Sequence, residues 1–201
     1  MEILHHALLY ALLCKNILQV HGEEEGKQLI EAFTKEYGRC RGRRMRKNSE
    51  TGDLNDYFIN GEWKGRQGEN ISKLSFEKDK TVSVVTKCAW YDTWKDYGLL
   101  DYGPYYCKYI DEAIVEGFDP NLVLNVKEAL GRGDARCVFE WLQAADEEKV
   151  SSAERRHILP FDFHCKEMLE CAKKILSEND PSLDPALKQF KGYFPDTEIS
   201  F

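Results

Sequence analysis

Two β-hairpin patterns, separated by a helical pattern, constrain the fold of this chain more than any other feature of its sequence. In the first, the apolar runs L-S-F (74–76) and T-V-S-V-V-T (81–86) flank the turn segment E-K-D-K. In the second, N-L-V-L-N-V (121–126) and R-C-V-F-E-W-L (136–142) are joined around G-R-G-D. Strands joined by tight turns pair antiparallel, and the sequence lacks the long β-α-β alternation of a parallel sheet. The order predicts an α+β fold, with an antiparallel sheet of hairpins packed against helices.

Helical patterns predict an N-terminal helical pair and a C-terminal helix. Residues 3–18 carry an apolar stripe at helical spacing, and a second helix is predicted to begin at Gly22, with acids in its first turn. A helical stretch over 91–118, broken by glycines, lies between the hairpins, and the C-terminal helix is predicted over 163–176. Residues 48–71 are expected to be irregular, with a short strand at 57–59.

The expected organisation is an N-terminal helical segment over residues 1–47 and an α+β domain over residues 48–201 that carries a cysteine/aspartate motif. We expect the two to form one compact unit. The residues from Asp180 onward contain three prolines and are predicted to be a wrapping tail.

Composition narrows the partners and the compartment. The net charge of −7 argues against non-specific nucleic-acid binding, and the basic cluster at 39–47 is interpreted as the charged end of a helix. Seven cysteines form an odd set without a C-x-x-C pair or a secretory signal, which favours reduced thiols in the cytoplasm. The apolar N-terminus has Glu2 and no basic region, so it is predicted to be a buried or interface-forming helix rather than a signal peptide or a membrane anchor. No membrane partner is expected, and an interface-forming first helix is compatible with a homo-oligomer.

The candidate chemistry centres on Y-Y-C-K-Y-I-D-E-A-I (105–114), where Cys107 and Asp111 are four residues apart on one helical face. Cys107 falls near the start of its helix, where the helix dipole favours a thiolate. Cys88 ends a predicted strand, Cys137 lies on another strand, and His164 opens the last helix. A cysteine nucleophile needs a base or a cationic neighbour, and histidine is the usual one.

Two alternatives stay open at this level. Buried cysteines often behave simply as small apolar residues, in which case these thiols only fill the core. A thiol-ligated zinc site formed by Cys88, Cys107, Cys137 and His164 is the other, although their wide separation in sequence is unlike the close-spaced ligand pairs of zinc sites. No cofactor is otherwise expected.

Several segments, taken in order, resemble the L-2-amino-thiazoline-4-carboxylic acid hydrolase family. They are Y-G-R-C-R-G-R-R-M (37–45), G-E-W (61–63), K-C-A-W (87–90), Y-Y-C-K-Y-I-D-E-A-I-V-E-G-F-D-P (105–120), G-R-G-D-A-R-C-V-F (131–139) and F-H-C (163–165). The resemblance implies a hydrolase that acts on a carbon–nitrogen bond of a cyclic amidine and yields a carbamoylated cysteine. Cys107 and Asp111 both lie in its longest segment.

The chemistry of such a substrate suggests a role for each candidate residue. A substrate carboxylate calls for an arginine fork, and Arg41, Arg43 and Arg44 are the candidates. The amidinium calls for a carboxylate such as Asp111, with Cys107 as nucleophile and His164 as general base. Cys137 and Cys88 are predicted to complete the substrate pocket.

A competing hypothesis from another class is a non-catalytic domain that binds or senses a small molecule in a thiol-lined, metal-bound or metal-free pocket. The cysteine-bearing α+β pattern is loosely similar to the ligand-binding domain of 4-vinyl reductases and to transport-particle subunits. Stoichiometric binding without product would distinguish this hypothesis from the hydrolase.

Overall fold

The computed structural model describes residues 1–195 and, within them, shows seven α-helices and one four-stranded sheet. The helices are α1 (Ile3–Lys47), α2 (Leu54–Ile59), α3 (Ala89–Asp96), α4 (Tyr105–Phe118), α5 (Glu147–Ser152), α6 (Phe161–Leu176) and α7 (Leu183–Tyr193). The strands are β1 (Ile71–Phe76), β2 (Thr81–Lys87), β3 (Leu124–Glu128) and β4 (Cys137–Trp141), with a 3-10 turn at Leu130–Arg132. The predicted α+β class is confirmed.

Helix α1 is a helical hairpin, because it is interrupted at Gly22. The backbone there has φ +78° and ψ 178°, a left-handed φ that glycine adopts without steric cost. The two arms run back along each other, since His6 Nε2 lies 3.1 Å from the hydroxyl of Tyr37, and the hydroxyls of Tyr10 and Thr34 are 2.7 Å apart. The predicted N-terminal helical pair and its break at Gly22 are therefore confirmed.

The sheet has the strand order β1-β2-β4-β3, with every neighbouring pair antiparallel. Both predicted hairpins are present, and they join through β2 and β4. Ser83 pairs with Phe139 and Val85 pairs with Cys137 across this central seam. Because side chains alternate along a strand, Cys137, Phe139 and Trp141 share one face, as the sequence predicted.

Helix α4 crosses α1 at very short range because glycines remove the side chains at the contact. A Cβ added to Gly42 would stand 2.1 Å from the carbonyl oxygen of Ile114, and one added to Gly38 would stand 2.7 Å from the Cβ of Ala113. Neither distance is tolerable for real atoms, so the crossing requires glycine. Arg41, on the same stretch of α1, is thereby held beside α4.

The N-terminal hairpin lies in the main core. Its 18-residue window of mean hydropathy 1.3 is long and apolar enough by composition to cross a membrane, but 67% of that window is buried inside the protein. Side chains from α1, α3, α4, α6 and α7 form one apolar cluster, and a smaller cluster fills the space between α4 and the sheet. The predicted buried helix is confirmed.

Two local predictions were wrong. Residues 57–59 belong to helix α2 rather than to a strand, because the Asp53 side chain accepts a hydrogen bond from the Asp56 backbone N–H at 3.0 Å and caps the helix. The expected tail contains helix α7, in which Pro185 occupies the first turn, where its missing N–H has no intrahelical partner to lose. The remainder of that tail, residues 196–201, lies outside the described residues.

Candidate active site

A partly open cavity of about 260 Å³ lies between helix α4 and the facing side of the sheet. This volume is at the lower end of ligand pockets and suits a small metabolite. Aromatic and aliphatic side chains form most of its wall, and the described charged side chains that line it are Arg41 and Asp111. The predicted residues that line it are Arg41, Cys88, Cys107, Asp111 and Cys137.

Cys107 and Asp111 project from adjacent turns of α4 into this cavity, as their spacing predicted. Both are half-buried by surface exposure. Burial raises the pKa of Asp111 to about 6, an effect that the Arg41 charge opposes and the Glu112 charge adds to. Within residues 1–195 no group donates a hydrogen bond to the Asp111 side chain. Its carboxylate is therefore available to a ligand, and it is ionised at neutral pH.

The Cys107 thiol is protonated at rest. Burial raises its pKa well above the ordinary value, and the neighbouring Cys88, Asp111 and Cys137 add to the shift. The expectation that the helix start would favour a thiolate does not hold, because desolvation and a nearby carboxylate both penalise a second negative charge. A nucleophilic Cys107 would therefore need a base during the reaction.

Two further thiols complete this side of the cavity. Burial raises the pKa of Cys88 to about 11 and also raises the pKa of Cys137. The Sγ atom of Cys137 accepts a hydrogen bond from the backbone N–H of Leu130 at 3.4 Å. The next residue, Gly131, packs so closely against Cys107 that an added Cβ would lie 3.1 Å from its Sγ.

Arg41 supplies the positive charge of the cavity wall. The residue is 5% exposed. Its side chain is held by Glu62, whose Oε2 lies 3.6 Å from Nε, and by Tyr106, whose hydroxyl accepts a hydrogen bond from Nη1 at 3.3 Å. Among residues 1–195 the Nε atom has no hydrogen-bond partner and Nη2 donates to no protein acceptor. A buried guanidinium with unused donors suits a ligand carboxylate.

The other two predicted arginines lie outside the cavity wall. Arg44 donates to both oxygens of Glu62 and to both oxygens of Glu167, so its fork is already occupied. Arg43 is solvent-exposed and contacts Glu36 and Cys40. Arg43 points away from the cavity because two helix positions turn its side chain by about 200° from that of Arg41. Arg44 lies on nearly the same face as Arg41, but Glu62 and Glu167 hold its side chain away from the cavity.

His164 also lies outside the cavity wall, although it is buried on the inner side of α6 as predicted. Its Nε2 lies 3.3 Å from the carbonyl oxygen of Glu62. Burial, together with the charges of Arg41 and Arg44, lowers the pKa of His164 to about 3. His164 is therefore a weak base and does not share the cavity with Cys88, Cys107 and Cys137. Its position does not support the predicted role of general base.

Sequence reasoning missed the aromatic walls and the carboxylate that anchors Arg41. Trp63, Trp90, Tyr57 and Tyr106 line the cavity, and Glu62 is 1% exposed behind it. The signal was present, because the segments G-E-W and K-C-A-W carry three of these residues. Spacing alone could not show that the two segments meet, with the rings of Trp63 and Trp90 4.8 Å apart.

The four candidate metal ligands do not converge. Within residues 1–195 no group of three or more histidine, cysteine, aspartate or glutamate side chains has the arrangement to hold a metal ion. Cys88, Cys107 and Cys137 share the cavity, whereas His164 does not.

The fold and cavity define a class of protein, an α+β protein with a thiol-bearing cavity between a helix and its sheet. The model of the L-2-amino-thiazoline-4-carboxylic acid hydrolase family matches residues 1–141, and the chain belongs to this family. Neither a curated protein nor a solved structure matches the chain. The match contains every residue that lines the cavity, from Arg41 to Trp141, but it ends before the F-H-C segment that contains His164.

Proposed function

We propose that this protein is a hydrolase that opens a small cyclic amidine carrying a carboxylate, such as L-2-amino-thiazoline-4-carboxylate. The observation that carries the proposal is the presence of one buried arginine and one half-buried carboxylate in the wall of a single cavity of about 260 Å³. A zwitterion with a carboxylate and an amidinium is complementary to that pair. The family to which the chain belongs supports the same substrate class.

In this proposal Arg41 binds the substrate carboxylate and Asp111 binds the amidinium. This orientation places the carbon between the ring sulfur and the ring nitrogen beside Cys107, one helical turn from Asp111. Burial and, to a lesser extent, neighbouring groups raise the pKa of the Cys107 thiol in the free protein, and the positive charge of the bound amidinium opposes that shift.

The reaction begins when the Cys107 sulfur adds to the amidine carbon while its proton passes to Asp111. The bond from that carbon to one ring heteroatom then breaks, and the departing heteroatom takes up the proton from Asp111. Water attacks the same carbon in a second step, the bond to Cys107 breaks, and the sulfur leaves as a thiol. One water is consumed, and the product is a carbamoylated cysteine.

The test is incubation of the purified protein with L-2-amino-thiazoline-4-carboxylate, with the product followed by mass spectrometry. Ring opening adds the mass of one water, and assays for a new free thiol or a new free amine identify the bond that breaks. We expect Cys107→Ala and Asp111→Asn each to reduce the rate by about 10²-fold or more. Cys40→Ser, outside the cavity wall, is the matched thiol control and should keep the rate.

The variants also separate the competing mechanisms. Full activity in Cys107→Ala with loss in Asp111→Asn would contradict the thiol nucleophile and assign the attack to a water that Asp111 deprotonates. Saturable binding of the substrate to the wild-type protein without any product would instead support the non-catalytic small-molecule-binding domain.

A further inference from the structure

A second pair of thiols lies outside the cavity, where helices α1 and α6 pack against each other. Cys40 on α1 is partly exposed, and Cys171 on α6 is buried with 5% of its surface exposed. The proposed ring opening uses neither residue.

The cross-helix contacts place these two cysteines opposite each other. The Nζ atom of Lys174 donates to Oε1 of Glu36 at 2.7 Å, and Nη2 of Arg44 donates to Oε2 of Glu167 at 2.9 Å. On α1, position 40 lies midway between 36 and 44, and on the antiparallel α6, position 171 lies between 167 and 174. The two thiols therefore face each other across the α1–α6 interface, between the two ion pairs. The neighbouring Cys40 also contributes to the raised pKa of Cys171.

Cys40 is the accessible thiol of the pair, and it contacts one cation and one carboxylate. The Nη2 atom of Arg43 donates to the Cys40 Sγ at 3.1 Å, and the Cys40 thiol donates to Oε1 of Glu36 at 3.8 Å. A carboxylate in this position can accept the proton of the thiol as it reacts. Burial raises the pKa of the Cys171 thiol, so Cys171 is the protected member of the pair. One accessible thiol beside a cation, with a second thiol facing it, is the arrangement of a reactive and a resolving cysteine.

We propose that Cys40 and Cys171 are a peroxide-sensitive thiol pair that closes to a disulfide between α1 and α6. The Cys40 thiolate attacks one oxygen of hydrogen peroxide, the O–O bond breaks, and the other oxygen leaves as water after taking up a proton. The Cys171 sulfur then attacks the resulting sulfenic acid, and its proton leaves with the hydroxyl as a second water. The two thiols lose two electrons, and peroxide gains them.

The disulfide would link α1 to α6 at the residue next to Arg41. Oxidation would therefore tie to α6 the turn of α1 that carries Arg41 of the cavity. The proposal depends only on the α1–α6 contact and is independent of the reaction catalysed in the cavity.

The test is peptide mapping of the full-length wild-type protein after hydrogen peroxide treatment and alkylation of the remaining thiols. We expect a peptide pair joined by Cys40 and Cys171, smaller than the sum of the two reduced peptides by two hydrogens and separated again by dithiothreitol. In Cys171→Ala, dimedone should label Cys40 as a sulfenic acid. Cys107→Ala is the control and should form the same cross-link as the wild type.

Absence of the cross-linked peptide from the wild type would overturn the proposal. So would a disulfide among Cys88, Cys107 and Cys137 in its place, or dimedone labelling that avoids Cys40. The wild-type map decides the question even if the Cys171 variant does not fold.

Discussion

At the scale of single residues, the site depends on two opposite charges that share one cavity without a direct ion pair. Arg41 is balanced by Glu62 on its outer side, and Asp111 has no hydrogen-bond donor among residues 1–195. A buried charge without a partner is costly in free energy. In the proposed reaction, the amidinium of the substrate pairs with the Asp111 carboxylate and offsets that cost.

The first prediction concerns the pH dependence of stability. The pKa of Asp111 is raised from 3.8 to about 6, so the folded protein binds a proton more tightly than the unfolded chain. The stabilisation that this proton provides is complete below pH 3.8 and is lost as pH rises through about 6. At pH 7, Asp111→Asn should therefore unfold at a higher temperature than the wild type, by an amount corresponding to ~1–3 kcal/mol.

Thermal unfolding at pH 7 and pH 4 checks this prediction, because the advantage of the asparagine variant should be much smaller at the lower pH. An equal difference at both pH values would show that the carboxylate is not destabilised by burial. The rate of ring opening in the wild type should fall below pH 6, since Asp111 then becomes protonated and can no longer act as a base.

The second prediction concerns recognition of the substrate carboxylate. Arg41→Lys keeps the charge but removes the planar fork, so KM should rise by roughly 10-fold to 100-fold with a smaller change in kcat. Steady-state kinetics of ring opening measures both constants. Arg39→Lys, two residues earlier on α1 and paired with Glu116 at the surface, is the control and should leave KM unchanged. An equal effect of the two substitutions would argue against carboxylate binding by Arg41.

At the scale of elements, the crossing of α1 and α4 fixes the distance between the arginine and the carboxylate. Gly38 and Gly42 on α1 face backbone atoms of α4, and Gly117 on α4 faces the backbone of Arg39. The small residues let the two helix backbones touch. Arg41 is borne by one helix, and Cys107 and Asp111 by the other.

The third prediction tests this crossing. In Gly42→Ala the new Cβ would stand 2.1 Å from the Ile114 carbonyl oxygen, so the helices must separate. We expect a loss of ~1–3 kcal/mol in the free energy of unfolding, together with weaker substrate binding as Arg41 moves away. Chemical denaturation and KM report the two effects.

Gly192→Ala is the matched control for the glycine substitution. Gly192 is also helical, and an added Cβ there meets no atom within 4 Å. The alanine should leave stability unchanged or raise it by up to ~1 kcal/mol, because alanine favours helix. Equal behaviour of the two variants would mean that the α1–α4 crossing can relax without cost.

Most elements could be predicted because each is specified by local pattern. The hairpins, the break at Gly22 and helices α1, α4 and α6 follow from side-chain periodicity and from glycine positions. Helix α2 could not be predicted reliably, since Tyr57, Phe58 and Ile59 have strand-forming side chains and the cap at Asp53 decides the outcome. Helix α7 was missed because prolines suggested an irregular tail.

At the scale of the whole molecule, α7 closes a core that begins with the first helix. Phe190 is fully buried, and Gln189 and Asn16 exchange hydrogen bonds between α7 and α1. Helix α7 lies beyond residues 1–141, the part that matches the family. The structure therefore predicts that residues outside the family match contribute to stability.

The fourth prediction is that Phe190→Ala lowers the free energy of unfolding by ~3–5 kcal/mol, the usual cost of removing a fully buried aromatic ring. Chemical denaturation measures it. Lys188→Ala, on the exposed side of the same helix, should change stability by less than ~0.5 kcal/mol. A small effect of Phe190→Ala would show that α7 is not part of the cooperative core.

The sequence alone determined the fold class, the helical pair, both hairpins and the family resemblance, because these depend on periodicity and on residue order. It also brought Cys107 and Asp111 together, since four residues span about one helical turn. Only the tertiary structure decided which distant residues join them. It selected Arg41 over Arg43 and Arg44, placed Cys88 and Cys137 in the cavity and left His164 outside it. The physical reason is that helix rotation and the packing of α1 and the sheet against α4 set these directions, and neither can be read from spacing along the chain.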